Sequence, residues 1–173
     1  MTAKIIDGNQ IAASIRAETA EEVRKLKAKG ITPGLAVVLV GDNPASQVYV
    51  RNKEKACEEI GIFTETLRLP SDTPEAEVLR LVERLNHDPK FHGILVQLPL
   101  PKQINETKVL FAMSPDKDVD GFHPVNVGKL LIGEPAFMPC TPAGVQQMLI
   151  RSGNSPEGKH VVICGRSNIV GKP

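Results

Sequence analysis

The sequence has no tryptophan and a single tyrosine, and aromatic residues make up 3% of its 173 positions. A core without large rings must be filled by aliphatic side chains. Valine, isoleucine, leucine and alanine are plentiful here, as expected for parallel strands covered by helices. Cysteine is scarce as well. Cys57, Cys140 and Cys164 are an odd number, far apart and without a Cys-x-x-Cys pair. They support neither a disulfide framework nor a zinc site, and a reducing, cytoplasmic compartment is the expectation. Neither Cys57 nor Cys140 has a base nearby in sequence, so both read as small packing residues. Charge of one sign is not in excess either: 21 basic residues stand against 20 acidic ones. Nothing global therefore favours nucleic acid or an anionic membrane, and the expected partner is a small molecule. The opening stretch MTAKIIDGNQ lacks the apolar segment of a signal peptide, and no stretch approaches the roughly 20 apolar residues of a membrane helix. A soluble protein is expected. His87, His92, His123 and His160 show no ligand spacing, and Asp116, Asp118 and Asp120 lack the downstream glutamate of a calcium loop, so no metal is expected.

A chain of this length holds one full core, or one domain and the beginning of another. In order, Asp7 to Asn9 precede a helical pattern with Ile11, Ile15, Val23 and Leu26 on one face and Gly30 as the stop. After the Pro33-Gly34 turn, Leu35 to Val40 is a continuous apolar run of strand length, suited to burial on both faces. Asn43 to Gly61 reads as a helix, with Asn43 as cap, Pro44 at the first position and Gly61 as terminator. Ile62 to Leu69 alternates as a more exposed strand, and a helix from Thr73 turns Val78, Leu81, Val82 and Leu85 inward. Gly93 to Pro99 is the next buried strand. The order βαβαβ predicts an α/β fold with a mostly parallel sheet, and in such sheets ligands sit beyond the carboxyl ends of the strands. Further on come a short helix from Asn105 to Met113, a turn-rich acidic loop from Pro115 to Gly121, and a short apolar segment from Gly128 to Gly133. A helix capped by Thr141 and begun by Pro142 then carries Val145, Met148 and Leu149 inward. A strand over Lys159 to Cys164 leads into a glycine-bounded turn, Gly165 to Gly171.

Several residues in this pattern stand where chemistry is possible. On the helix after the first strand, Arg51, Glu54, Lys55 and Glu58 form a charged stripe, and the opposite stripe holds Tyr49, Lys53, Ala56 and Ile60. Lys53 thus sits on the face expected to be apolar. It either serves as a base or electrostatic group, or it snorkels past the core to water. Gln97 places a primary amide in a buried strand, as a partner for a ligand or Lys53, or as a satisfied amide at the edge of the core. Asp120, before Gly121, can accept two hydrogen bonds from a flat N–H/NH2 edge, or only stabilise its own turn. Asp116 and Asp118 read as solvated loop carboxylates. The turn Gly165 to Gly171 lies where doubly wound folds hold phosphates, although it is neither a Gly-x-Gly-x-x-Gly nor a Walker motif. Arg166 and Ser167 would supply a guanidinium fork and a hydroxyl there, or the turn is merely tight and carries a surface arginine.

Five segments together resemble one family: Tyr49-Val-Arg-Asn-Lys53, Gly93-Ile-Leu-Val-Gln-Leu-Pro-Leu-Pro101, Asp116-Lys-Asp-Val-Asp-Gly121, Pro139-Cys-Thr-Pro-Ala-Gly144 and Gly165-Arg-Ser-Asn-Ile-Val-Gly-Lys-Pro173. They are similar to the bifunctional methylenetetrahydrofolate dehydrogenase/methenyltetrahydrofolate cyclohydrolases, called FolD in bacteria. The resemblance implies that residues 1–139 form a folate-binding catalytic domain and that 140–173 begin an NADP-binding Rossmann domain, with a cleft between them. It implies a cytoplasmic homodimer without a catalytic metal. Lys53 resembles the catalytic lysine and Tyr49 the ring that packs on the folate aminobenzoate. Gln97 resembles the lysine's hydrogen-bonding partner and Asp120 the carboxylate that grips the pterin. Gly165, Arg166 and Ser167 resemble the dinucleotide-phosphate contacts. The family's later Pro-Gly-Gly-Val-Gly-Pro segment and most of its Rossmann sheet are not in this sequence. The 173 residues alone are therefore not expected to hold a dinucleotide, and an inert folate-binding fragment is the alternative.

Overall fold

Backbone groups inside an apolar layer must pair with one another, and the apolar run Gly34–Val40 does so on both sides. In the computed structural model, which describes residues 3–173, it is the central strand β1. Met1 and Thr2, the start of the stretch read above as lacking a signal peptide, lie outside the described residues. The strands β2 (Phe63–Leu69) and β3 (Gly93–Val96) flank β1 in parallel, in the order β2-β1-β3. Val38 of β1 stands between Leu67 and Val96. Residues alternate across a strand. Ala36, Val38 and Val40 accordingly enter one core with Val78, Val82 and Leu85, while Val37 and Leu39 enter a second with Val50 and Leu95. Gly34 is needed at the start of β1, because a Cβ there would run into the carbonyl oxygen of Lys90.

Helices cover both faces, as a parallel sheet requires. The first core lies under α3 (Glu75–His87) and α4 (Glu106–Ala112), and the second under α2 (Pro44–Ile60). The long helix α1 (Gly8–Ala28), capped by Asp7, packs outside α2 and buries only Val23. The expected α/β class, parallel order and first four helices are observed. No described helix is long and apolar enough to cross a membrane.

Four expectations give way to the structure. The segment Gly128 to Gly133 belongs to a helix, α5 (Pro124–Ile132), begun by His123 and Pro124. The last helix, α6 (Cys140–Arg151), starts before Thr141, so Thr141 lies within it and Pro139 holds the cap position. Val145 is exposed, and no α6 residue is fully buried. The run from Lys159 to Cys164 is not a strand, and Val161, Val162 and Ile163 are exposed. A strand exists only through a hydrogen-bonded neighbour, and among the described residues this segment pairs with none.

Candidate active site

The carboxyl ends of β1 and β3 open onto the first turns of α2. Gly41, with φ of 85°, turns the chain out of β1, and the Asn43 side chain then accepts from Ser46 N at 3.1 Å to start the helix. Pro44 follows at the first position and Gly61 closes the helix in the left-handed conformation. The rotation of α2 differs from the expected stripe. Ser46, Val50 and Cys57 are buried, Lys53 is half-buried beside them, and Tyr49 is 59% exposed. Val50 decides this rotation by entering the core of Val37, Leu39 and Leu95, which swings Tyr49 to the rim.

Gln97 continues the ladder past β3, its N–H donating to Val38 O at 2.9 Å. Its side-chain N–H donates to Leu98 O at 2.7 Å, which leaves Oε1 to accept from Lys53 Nζ at 3.1 Å. The amide is therefore held in one orientation by its own neighbour. The inward lysine and the misplaced amide meet, 44 positions apart in the chain.

The acidic loop assigns each residue a different place. Lys117 donates to Leu85 O and Asp88 O, carbonyls at the C-terminal end of α3, where a cation is favoured. Ile94 N donates to Lys117 O at 2.7 Å, and Asp118 pairs with Ile94 along β3. Val119 packs on the second core, over Gly93, where any side chain would meet it. Asp118 is fully buried rather than solvated. Its Oδ2 accepts from His123 N at 2.7 Å and Asn126 Nδ2 at 3.0 Å, and its Oδ1 has no partner. Asp116 stays exposed, as expected.

Asp120 comes next, half-buried. Burial pushes its carboxyl above the ordinary range, the Lys53 ammonium opposes this, and the Asp118 charge adds to it. Gly121 then takes φ of 68°, and a Cβ there would lie 2.5 Å from Phe137 O. That close approach brings the start of α6 onto the loop. Cys140 Sγ stands 3.8 Å from Asp120 Oδ1 and 4.0 Å from Val119 O. Cys140 was expected as a packing residue and is instead exposed beside this carboxylate. Cys57 is buried as expected. Asp118 and Cys140 were missed because burial and proximity to Asp120 are set by residues distant in sequence. The Pro139-Cys-Thr-Pro helix start was the only sequence signal for Cys140.

Gly165, Arg166 and Ser167 are exposed and make no hydrogen bond to the Lys53, Gln97 and Asp120 group. Ser167 Oγ accepts from Val170 N at 3.1 Å and Gly171 N at 3.4 Å, which closes the turn. At Gly171 a Cβ would overlap the carbonyl of Gly165, so the two glycines make the turn tight. A separate cleft of about 490 Å³ lies between Lys4–Asp7 and Arg151–Ser152 and contains none of the candidate residues.

Residues 6–120 match the family described as tetrahydrofolate dehydrogenase/cyclohydrolase, catalytic domain, and residues 139–173 match its NAD(P)-binding domain. The bifunctional protein FolD of Geotalea uraniireducens is 64% identical over 171 residues, covering 99% of this chain and 61% of that protein. Its counterpart in Moorella thermoacetica is 62% identical over 173 residues, with 100% and 62% covered. The chain thus spans about three fifths of the length of these relatives. The solved FolD from Campylobacter jejuni superposes with a TM-score of 0.94 at 50% identity, covering 98% of this chain and 60% of that one. The Trypanosoma brucei enzyme, complexed with NADP cofactor and inhibitor, gives 0.93 at 40% identity, with 99% and 59% covered. The five sequence segments, the parallel sheet and the matched residues agree, and the chain belongs to the tetrahydrofolate dehydrogenase/cyclohydrolase family.

Proposed function

We propose that the protein carrying this chain oxidises 5,10-methylenetetrahydrofolate with NADP to the 5,10-methenyl form and hydrolyses that product to 10-formyltetrahydrofolate. The observation that carries the reading is the Lys53–Gln97 pair at the carboxyl end of the sheet, with Asp120 within electrostatic reach of Lys53, in a chain of this family. In the hydrolytic step the methenyl carbon lies between two nitrogens and bears positive charge, so the attacking water must lose a proton. Lys53 is the group placed to take it. One of its N–H bonds is held by Gln97 Oε1, which fixes the direction of the nitrogen. Asp120 accepts from the flat N–H/NH2 edge of the pterin, and Tyr49, exposed on the rim, packs its ring on the aminobenzoate.

The division into 1–139 as the folate-binding catalytic domain and 140–173 as the start of the NADP-binding domain belongs to the same proposal. So do a homodimeric assembly and a cytoplasmic location. The turn residues fit a dinucleotide phosphate: Gly165 to Ser167 are exposed, Arg166 carries a guanidinium there, and the Ser167 hydroxyl, whose oxygen holds Val170 N and Gly171 N, keeps its own O–H to donate. NADP, when bound, supplies the hydride acceptor. One observation favours a second reading for the 173 residues by themselves, a folate-binding piece without activity. They span 61% of the length of a close relative.

Replacing Lys53 by methionine in the full-length protein separates the roles. Loss of a positioned base lowers methenyltetrahydrofolate hydrolysis, read from its near-ultraviolet absorbance, by about 10²- to 10⁴-fold. Hydride transfer needs no such water, so measurable dehydrogenase activity remains. Equal loss of both activities would assign Lys53 to substrate binding, and undiminished hydrolysis would return it to a snorkelling surface lysine. The same absorbance assay on the 173-residue chain distinguishes enzyme from inert piece.

A further inference from the structure

Cys140 opens α6 directly behind Pro139, whose side chain is fully buried and makes no cap hydrogen bond. Its place against the acidic loop is imposed from both sides. Gly121, in the left-handed region, lets the backbone of Phe137 and Met138 lie where any larger residue would collide. Pro139 then holds the chain down, and the next residue presents its sulfur to Asp120 Oδ1 at 3.8 Å and to Val119 O at 4.0 Å. Both neighbours are acceptors, so the thiol is the donor. Partial desolvation of the sulfur in an otherwise exposed residue, together with the Asp120 and Asp118 charges, pushes the Cys140 thiol up against the opposing pull of Lys53, which keeps the proton on sulfur. An ionised carboxylate has about four lone-pair positions and rotates freely unless something occupies one of them. No other side chain donates to Asp120 among the described residues.

We propose that Cys140 is a positioning residue for Asp120: its thiol takes one lone pair of Oδ1 and holds the carboxylate plane so that the remaining positions face the crevice. This rests on the reading that Asp120 grips the pterin. Cys140 begins α6, in the stretch that matches the NAD(P)-binding domain, and Asp120 ends the stretch that matches the catalytic domain. The contact therefore links the folate grip to the first helix of the dinucleotide-binding part.

The test uses the full-length protein with Cys140→Ala, Cys140→Ser, Asp120→Ala and the Cys140→Ala/Asp120→Ala double variant. Tetrahydrofolate binding is measured by calorimetry, and the folate and NADP KM values by steady-state kinetics. Removing a weak donor to a charged acceptor is expected to weaken folate binding about 3- to 10-fold and to raise the folate KM while the NADP KM stays put. The serine variant, which keeps an O–H donor, recovers most of this loss, and the alanine change has no further effect once Asp120 is absent. Wild-type folate binding in Cys140→Ala would overturn the proposal. So would equal impairment of the serine and alanine variants, which marks simple packing, or a loss that persists in the Asp120→Ala background. If Asp120→Ala alone leaves folate binding unchanged, the pterin reading fails first and the positioning role falls with it.

Discussion

Asp120 carries its charge in a half-buried place between Lys53, Asp118 and Cys140, and each neighbour has a definite sign of effect. Desolvation is the largest influence and raises the carboxyl, with Asp118 in the same sense; the Lys53 ammonium and the Cys140 thiol act against it. A raised carboxyl binds its proton more tightly folded than unfolded, so the folded state loses stability as pH rises from the ordinary carboxylate range through the raised value. Asp120→Asn removes that titration. Denaturant unfolding at a series of pH values is expected to show the variant gaining on the parent across this acid window and holding a constant advantage above it. A difference independent of pH would mean that the carboxylate is well solvated. Stability is then lower with the aspartate than without it at neutral pH, which is the pattern of a residue retained for binding rather than for folding.

The helix α2 shows how an element delivers a side chain. Its boundaries are local: the Asn43 side chain holds Ser46 N, Pro44 needs no N–H, and Gly61 adopts φ of 84°. Its rotation is not local, being set by Val50 against Val37, Leu39 and Leu95. Because the cap orders the turn just before Tyr49 and Lys53, its loss should fray that turn while Val50 holds the rest. Asn43→Ala is expected to cost about 1 kcal/mol in urea unfolding and to raise the folate KM. An unchanged unfolding midpoint would show that water replaces the cap without penalty.

At the scale of the molecule, order is concentrated around β1. Its residues from Ala36 to Val40 are all buried, all paired with β2 and, as far as Val38, with β3 as well, whereas α6 is held against α1 by the exposed Arg151–Glu18 pair, at 2.6 and 2.7 Å, and buries no residue. Such exposed pairs are weak and salt-sensitive. Amide hydrogen exchange on the 173-residue chain is expected to be slowest in β1 and close to unprotected over residues 159–164, with α6 between them and losing protection as salt is added. Protection of 159–164 equal to that of β1 would require a strand partner for that segment.

Wherever a property depends on neighbours within a turn or two of the chain, the sequence by itself determined it. The caps of α2, the inward residues of α3, the buried run of β1 and the βαβαβ order that yields a parallel sheet are of this kind. Lys53 and Gln97 were legible as anomalies, a charge and an amide at positions where periodicity calls for apolar side chains. Their meeting was decided by the tertiary structure, as were the exposure of Tyr49, the burial of Asp118 and the placing of Cys140 against Asp120. The segment Lys159 to Cys164 has strand composition and no strand, because a ladder needs a second backbone and composition supplies only one. Periodicity states which way a side chain tends to face; desolvation and hydrogen-bond partners are set by groups that only folding brings near.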